Sequence, residues 1–216
     1  MRKLYGYFRS SAAYRVRVAL NLKGLEYEHA SINLKPGVSE HQSDDYKAMN
    51  PQGRVPYFVD GDMGLSQSPA ILEYLEEAYD SVPLLPANKE GRARVRQISS
   101  LIGCDIHPLN NLSVLMRIKG QLGADEEAAN SWYHHWIIEG FTALEQMLSE
   151  SEQTGRFCFG DTPTLADVYL IPQIWNARRF NTPLEAFPTL MRIEAACNEL
   201  KAFIDAAPEN QPDTPK

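Results

Sequence analysis

The chain reads as an α/β first half in the order βαβ then ββα, followed by an all-helical second half. Three observations lead there. Short apolar or aromatic runs alternate with helical periodicity through Asp80. Ser81 to Lys89 (SVPLLPANK) carries prolines and no periodicity, and beyond it apolar residues recur at three- and four-residue spacing. The boundaries that follow are 1–83 for the first domain, a linker at 84–89, and 90–216 for the helical domain.

Leu4 to Tyr7 is short, apolar and aromatic and reads as the first strand. Tyr14 to Leu22 places Val16, Ala19, Leu20 and Leu22 at helical spacing, with Gly24 closing the helix. Tyr27 to Asn33 alternates weakly, a second strand parallel to the first, and a short helix follows near Asp44 to Met49. Val55 to Val59 and Leu65, around the turn GDMG, form a hairpin whose Pro56 would interrupt a central ladder. Ser68 as N-cap and Pro69 at the first helical position open a helix with the stripe Ile71, Leu72, Leu75. Helices are expected over 91–122, 126–150, 164–177 and 188–206, and Thr164-Leu165-Ala166-Asp167 has the form of a capping box. The tail from Pro208, polar and proline-rich, is expected to be loose.

With 216 residues, 44% of them hydrophobic, the chain can bury one generous core or two small ones. No stretch approaches the roughly 20 apolar residues of a membrane span, and MRKLYGYFRSS lacks a signal-peptide pattern, so a cytoplasmic protein is expected. The net charge of −7 disfavours a nucleic-acid partner, and any anionic ligand must be held by a local cluster. Cys104, Cys158 and Cys197 are widely spaced without a Cys-x-x-Cys pair; they read as buried thiols, and no metal site is signalled.

Ser10 and Ser11 stand where a strand turns into a helix, either as an ordinary N-cap or as a site where the helix N-terminus stabilises an anion. Arg15 and Arg17 follow in the first turns and read as solvated. At Val55-Pro56 a cis bond would turn the Val55 backbone outward for an extended peptide to pair with; the alternative is an edge strand that tolerates proline. Gln67-Ser68 repeats the polar pair at a helix mouth and suits a second carboxylate. Two anion sites and one backbone edge suit a short acidic peptide.

In that order these motifs resemble the glutathione transferase superfamily, with its thioredoxin-like glutathione domain and all-helical second domain. Phe8-Arg9-Ser10-Ser11, Tyr14 to Leu20 and Lys23-Gly24 are similar to its zeta class, the maleylacetoacetate isomerases. The resemblance continues through Asn50-Pro51, Leu84-Leu85-Pro86, Asn111 to Leu115, Gly160-Asp161, Asn176 to Phe180 and Gln211 to Pro215. It implies glutathione as cofactor, Ser11 donating to its thiolate beside Ser10, Val55 pairing with its cysteinyl backbone, and Gln67 and Ser68 holding its γ-glutamyl end. It also implies glutathione contacts from His41, His107, Asn111, Leu112 and Ser113, and a homodimer. Ala12 departs from the class, where cysteine commonly follows the serine pair; Tyr7 reads as packing rather than as a thiol activator.

The activity implied is cis–trans isomerisation of maleylacetoacetate to fumarylacetoacetate in tyrosine and phenylalanine breakdown, with a possible transferase side activity. A nucleophile that adds to a conjugated cis double bond makes it single, and the bond re-forms trans when the nucleophile leaves. A small dicarboxylate substrate calls for cations, and Arg9 and Arg179 are nominated, with Arg178 left to the surface. The same reaction on maleylpyruvate is the alternative; Leu112 and Ser113, where a further basic residue would clamp a shorter acid, tilt the reading toward maleylacetoacetate. A general transferase or a non-catalytic glutathione-binding scaffold stands further off.

Overall fold

The computed structural model describes residues 1–215. They form two compact units, one of Met1–Leu84 with the chain from Asn198 onward, the other of Leu85–Cys197. The expected boundary at 90–216 therefore shifts: the last segment belongs with the first unit, because α10 (Lys201–Ala206) packs on α1 (Ser11–Leu22).

The first unit has the expected βαβ–ββα order. β1 (Arg2–Gly6), α1, β2 (Glu28–Ser31), α2 (Asp44–Met49), β3 (Tyr57–Asp60), β4 (Met63–Ser66) and α3 (Ser68–Ala78) follow one another. The strands stand in the order β2-β1-β3-β4, β1 and β2 parallel and the other pairs antiparallel. Leu4 faces Phe58 across β1 and β3, and both are buried. The buried stripes Ala13, Val16, Leu20 of α1 and Ile71, Leu72, Leu75 of α3 complete this core, each large side chain contributing about 1.5–3 kcal/mol. At Gly6 an added Cβ would stand 3.2 Å from Ala13 Cβ, so strand and helix approach closely there. α1 stops at Gly24, whose φ of 65° and whose bonds, Gly24 N–H to Asn21 O and Leu25 N–H to Leu20 O, make a Schellman closure.

The start of α3 differs by one residue from expectation. Gln67, with φ of 71°, is the cap residue and makes no side-chain cap bond, while Ser68 is the first helical residue. Proline is tolerated anywhere in a first turn, where its missing N–H has no intrahelical partner to lose, so Pro69 did not single out one start.

In the second unit the expected helix over 91–122 is broken. α4 (Lys89–Ser100) runs into a π-helical segment (Leu101–Ile106), then α5 (His107–Asn110) and α6 (Leu112–Leu122). The His107 N–H reaches back to Ile102 O, an i→i−5 bond, just before Pro108, which has no N–H to continue the ladder. Cys104 lies on this segment and is exposed, unlike Cys158 and Cys197, so only those two are the buried thiols expected. α7 (Glu126–Ser149) buries Tyr133, Ile137, Phe141, Leu144 and Leu148 at helical spacing. α8 (Leu165–Arg179) is buried on every side from Leu165 to Ile174, the core helix of this unit, and α9 (Pro188–Asn198) ends where the first unit resumes. The capping box is present: the Thr164 N–H donates to Asp167 Oδ2 at 2.8 Å.

The tail is ordered by its own polar groups. Gln211 is buried and its Nε2 donates to Asp205 O at 2.8 Å and Ala207 O at 2.9 Å, around a turn of 3₁₀ helix at Pro208–Asn210. Its polarity thus served internal hydrogen bonds, not solvation, and the expected looseness does not hold.

Candidate active site

Register alone brings three of the sequence motifs together. β1 ends at Gly6 and leads into α1; β3 runs antiparallel to it and begins beside that end, Tyr57 opposite Tyr5. β4 ends beside the start of β3, Ser66 opposite Tyr57. Ser10 and Ser11, Val55 and Pro56, and Gln67 and Ser68 therefore all lie at one end of the sheet. The Val55-Pro56 bond is cis, the first of the two readings its sequence left open, and Val55 lies ahead of the ladder.

At the head of α1 the Ser10 side chain accepts the Ala13 N–H at 3.2 Å, and Ser10 O accepts the Tyr14 N–H at 2.8 Å. The N-cap reading and the anion-site reading are thus compatible, since Ala12 and its N–H remain at the helix mouth. No acidic residue occupies the first turn. Ser11 is buried at 3% exposure, and Arg9 is exposed with its guanidinium 4.9 Å from the centre of the Phe8 ring. Tyr7 is packed, its ring edge-on to Phe8 at 4.7 Å.

Arg15 and Arg17 correct the sequence reading, for both are buried, at 1% and 0% exposure. Arg17 donates from Nε to Ala206 O at 2.9 Å and from Nη2 to Phe8 O at 3.1 Å, so this cation holds backbone rather than water. Burial pulls its pKa down to about 10, against the pull of Tyr27, Tyr14, Asp213 and Glu209. Neither its burial nor its partners leave a periodic signal in the sequence.

His41 sits in a turn of 3₁₀ helix at Glu40–Gln42, which Gln42 Nε2 ties to Gly53 O at 3.2 Å, two residues before Val55. Burial, with nearby Lys47, lowers its pKa against an opposing backbone hydrogen bond at Asn33. Gln67 Nε2 donates to Gln52 Oε1 at 2.6 Å, and Ser68 is buried at the mouth of α3. The donor set suits a short acidic peptide: backbone at Val55 for pairing, and hydroxyls, a carboxamide and two helix mouths for its charged ends.

The remaining predicted residues belong to the second unit. Asn111 caps α6, accepting the Val114 N–H and the Ser113 hydroxyl at 3.2 and 2.5 Å, and Leu112 is exposed. His107 opens α5 and is half-buried. Arg178 is exposed and pairs side-on with Glu194, its Nε at 2.9 Å from Oε1. Arg179 is exposed, its guanidinium 5.0 Å from the centre of the Phe180 ring; Phe180 stacks on Tyr133 at 3.8 Å, and its carbonyl lies 2.7 Å from His134 Nε2. A cavity of about 290 Å³ lined by Cys104, Asp105, Leu109, Trp136 and Glu139 lies elsewhere in this unit and contains none of the predicted residues.

This arrangement matches known proteins over its length. Residues 2–77 match the family model of the glutathione S-transferase N-terminal domain, and residues 130–206 that of the C-terminal domain. The chain is 50% identical to a maleylpyruvate isomerase of Ralstonia sp., covering 98% of this chain and 99% of that one. It is 49% identical to a maleylacetoacetate isomerase of Pseudomonas aeruginosa, over 99% of both. Among solved structures, a holo maleylpyruvate isomerase described as a bacterial zeta-class glutathione S-transferase superposes with a TM-score of 0.96 at 49% identity, covering 99% and 100% of the two chains. A maleylacetoacetate isomerase of Methylobacterium extorquens AM1 with bound malonate and glutathione gives 0.95 at 40% identity, again over 99% and 100%. The chain belongs to the glutathione S-transferase family, in its zeta class.

Proposed function

We infer that this chain is a glutathione-dependent cis–trans isomerase that converts maleylacetoacetate to fumarylacetoacetate. The observation that carries the reading is the meeting of the two serines, the Val55 backbone and the Gln67-Ser68 pair at one sheet end. Similarity to isomerases of both maleylacetoacetate and maleylpyruvate supports the reaction class. Malonate bound together with glutathione in the structure of one neighbour supports a small dicarboxylate as substrate.

Glutathione, when bound, supplies a thiolate that adds to the conjugated double bond, frees it to rotate, and departs unconsumed. The chain's part is to make and aim that sulfur. A free thiol has a pKa near 8.5, and the start of α1 with the Ser11 hydroxyl favours its charged form, the proton leaving to solvent. No carboxylate in the first turn of α1 competes for that field. Gln67 and Ser68 hold the γ-glutamyl end, Val55 the backbone, and His41, His107 and Asn111 to Ser113 further parts of the tripeptide. Arg9 and Arg179 hold the substrate's carboxylates and offset the negative charge that develops on its carbonyl oxygen.

The shorter substrate is the second reading, favoured by the relative identical at 50%. Leu112 and Ser113 add no positive charge that would clamp a shorter acid, which supports maleylacetoacetate. The test is the ultraviolet absorbance of maleylacetone and of maleylpyruvate with purified protein, with and without glutathione, for wild type, Ser11→Ala and Arg179→Ala. Glutathione-dependent isomerisation lost in both variants is the expected result, and the ratio of kcat/KM on the two acids decides between them. Glutathione binding without isomerisation of either acid would leave a transferase or a scaffold. A homodimer in the cytoplasm completes the proposal, and sedimentation of the purified protein checks the assembly.

A further inference from the structure

The last residues of the chain reach the turn that carries the active-site serines. Asp213 Oδ2 accepts the Phe8 N–H at 2.9 Å and the Ser31 hydroxyl at 3.0 Å. Its Oδ1 lies 3.2 Å from His29 Nε2, and its side chain is only 10% exposed. From the other side Phe8 O accepts Arg17 Nη2 at 3.1 Å. Both polar groups of the Phe8 residue are therefore held by side chains of opposite charge, one from the tail and one from α1.

Phe8 is a central residue of the turn that follows. The Ser10 N–H donates to Tyr7 O at 2.9 Å, so Phe8 and Arg9 are the two residues between the ends of the turn, and Ser10 caps the helix that Ser11 begins. Fixing Phe8 fixes the entry angle of Arg9, Ser10 and Ser11. The tail is held in place by its own bonds. Thr214 donates its N–H to Gln211 O at 3.1 Å and its hydroxyl to Pro208 O, which brackets Asp213 between two anchored residues. A misplacement of about 1 Å in a catalytic group can cost on the order of a hundredfold in rate.

We propose that Asp213 is a positioning residue for the thiolate site, the C-terminal tail setting the Tyr7–Ser10 turn through the Phe8 N–H and so aiming Ser11 at the glutathione sulfur. This rests on the isomerase reading above. The carboxylate need not touch glutathione or substrate; its effect passes through one backbone donor, strengthened because the acceptor is charged. A tail that served only as glue would change stability and leave the chemistry alone.

Three variants of the full-length protein test it: Asp213→Ala, Asp213→Asn, which keeps an acceptor oxygen, and Asn210→Ala, which cuts a tail bond to Ile204 O away from the turn. Hydrogen exchange of the ligand-free protein reads the turn directly, and the pH midpoint of the ultraviolet thiolate absorbance of bound glutathione reads the sulfur. Asp213→Ala is expected to speed exchange over residues 7–12, raise the thiolate midpoint, and lower kcat on the order of tenfold or more, with glutathione affinity changed less than about threefold. Asp213→Asn should recover most of the kcat and Asn210→Ala should retain it. Unchanged exchange over residues 7–12 in Asp213→Ala, an unchanged thiolate midpoint, or an equal kcat loss in Asn210→Ala would overturn the positioning role alone. A wild-type protein that neither binds glutathione nor isomerises either acid would overturn the isomerase reading, and the thiolate role with it.

Discussion

Two helix starts in this molecule use the same physics for opposite ends. α8 begins at Thr164 with an acid in its own first turn: Asp167, fully buried, accepts the N–H groups of Thr164 and Cys158, both at 2.8 Å. That N-terminus is closed by its own carboxylate. α1 begins at Ser10 with a hydroxyl cap and no acid in its first turn. In the proposed function the anion that this start stabilises is the glutathione thiolate. A helix mouth filled by its own acid stabilises the fold, while one whose first turn holds no acid can stabilise a bound anion.

The largest effect that would separate the two starts comes from emptying the closed one. Asp167→Ala leaves the N–H groups of Cys158 and Thr164 without an acceptor in a buried place. At about 1–3 kcal/mol for each orphaned group, the variant should lose roughly 2–5 kcal/mol of stability in urea denaturation. A loss under about 1 kcal/mol would mean that the closed start contributes little. At the open start the sign of the experiment reverses. Ser11→Ala should lower kcat/KM roughly 10- to 100-fold, the range for a lost hydrogen bond to a charged group, with stability changed by less than about 1 kcal/mol. Equal loss of stability in both variants would erase the contrast.

The contrast was half legible in the sequence. Thr164 with Asp167 and Ser10 with Ser11 are local patterns, and so are the Val55-Pro56 step, the Gln67-Ser68 pair and the periods of α1, α3 and α7. Each depends on residues within a few positions and is therefore legible locally. What depends on distant partners is not. Arg17 is buried because it serves Ala206, 189 residues away, and the tail is ordered in part because Asp213 serves Phe8, 205 residues away. The π-helical turn at Leu101–Ile106 escaped for another reason: one extra residue in a turn leaves three- and four-residue apolar spacing nearly intact.

A thiol makes the difference between the starts measurable in one number. Cys158 lies against the closed start, and burial, followed by the Asp167 charge, drives its pKa well above the ordinary value. Ala12→Cys would put a thiol at the open start, half-buried and with no first-turn acid beside it. It should titrate below about 8.5, by one unit or more, and be alkylated well ahead of Cys158 at pH 7. An introduced thiol that titrates at or above the free value would mean that the mouth of α1 supplies no useful field.

The smallest effect concerns the tail that holds the open start. Burial alone would raise the Asp213 carboxyl, but the His29 ring and the donors at Phe8 and Ser31 outweigh it, and its pKa lies below the ordinary 3.8. A carboxyl held below its unfolded value stabilises the fold above that value and loses the contribution as pH falls through its folded one. Asp213→Asn should therefore flatten the stability profile below about pH 4, as urea midpoints across pH would read. Because the same carboxylate holds the Phe8 N–H, acid that protonates it should loosen the start of α1. A wild-type profile as flat as that of Asp213→Asn would show that the tail carboxylate has no such hold on the start of α1.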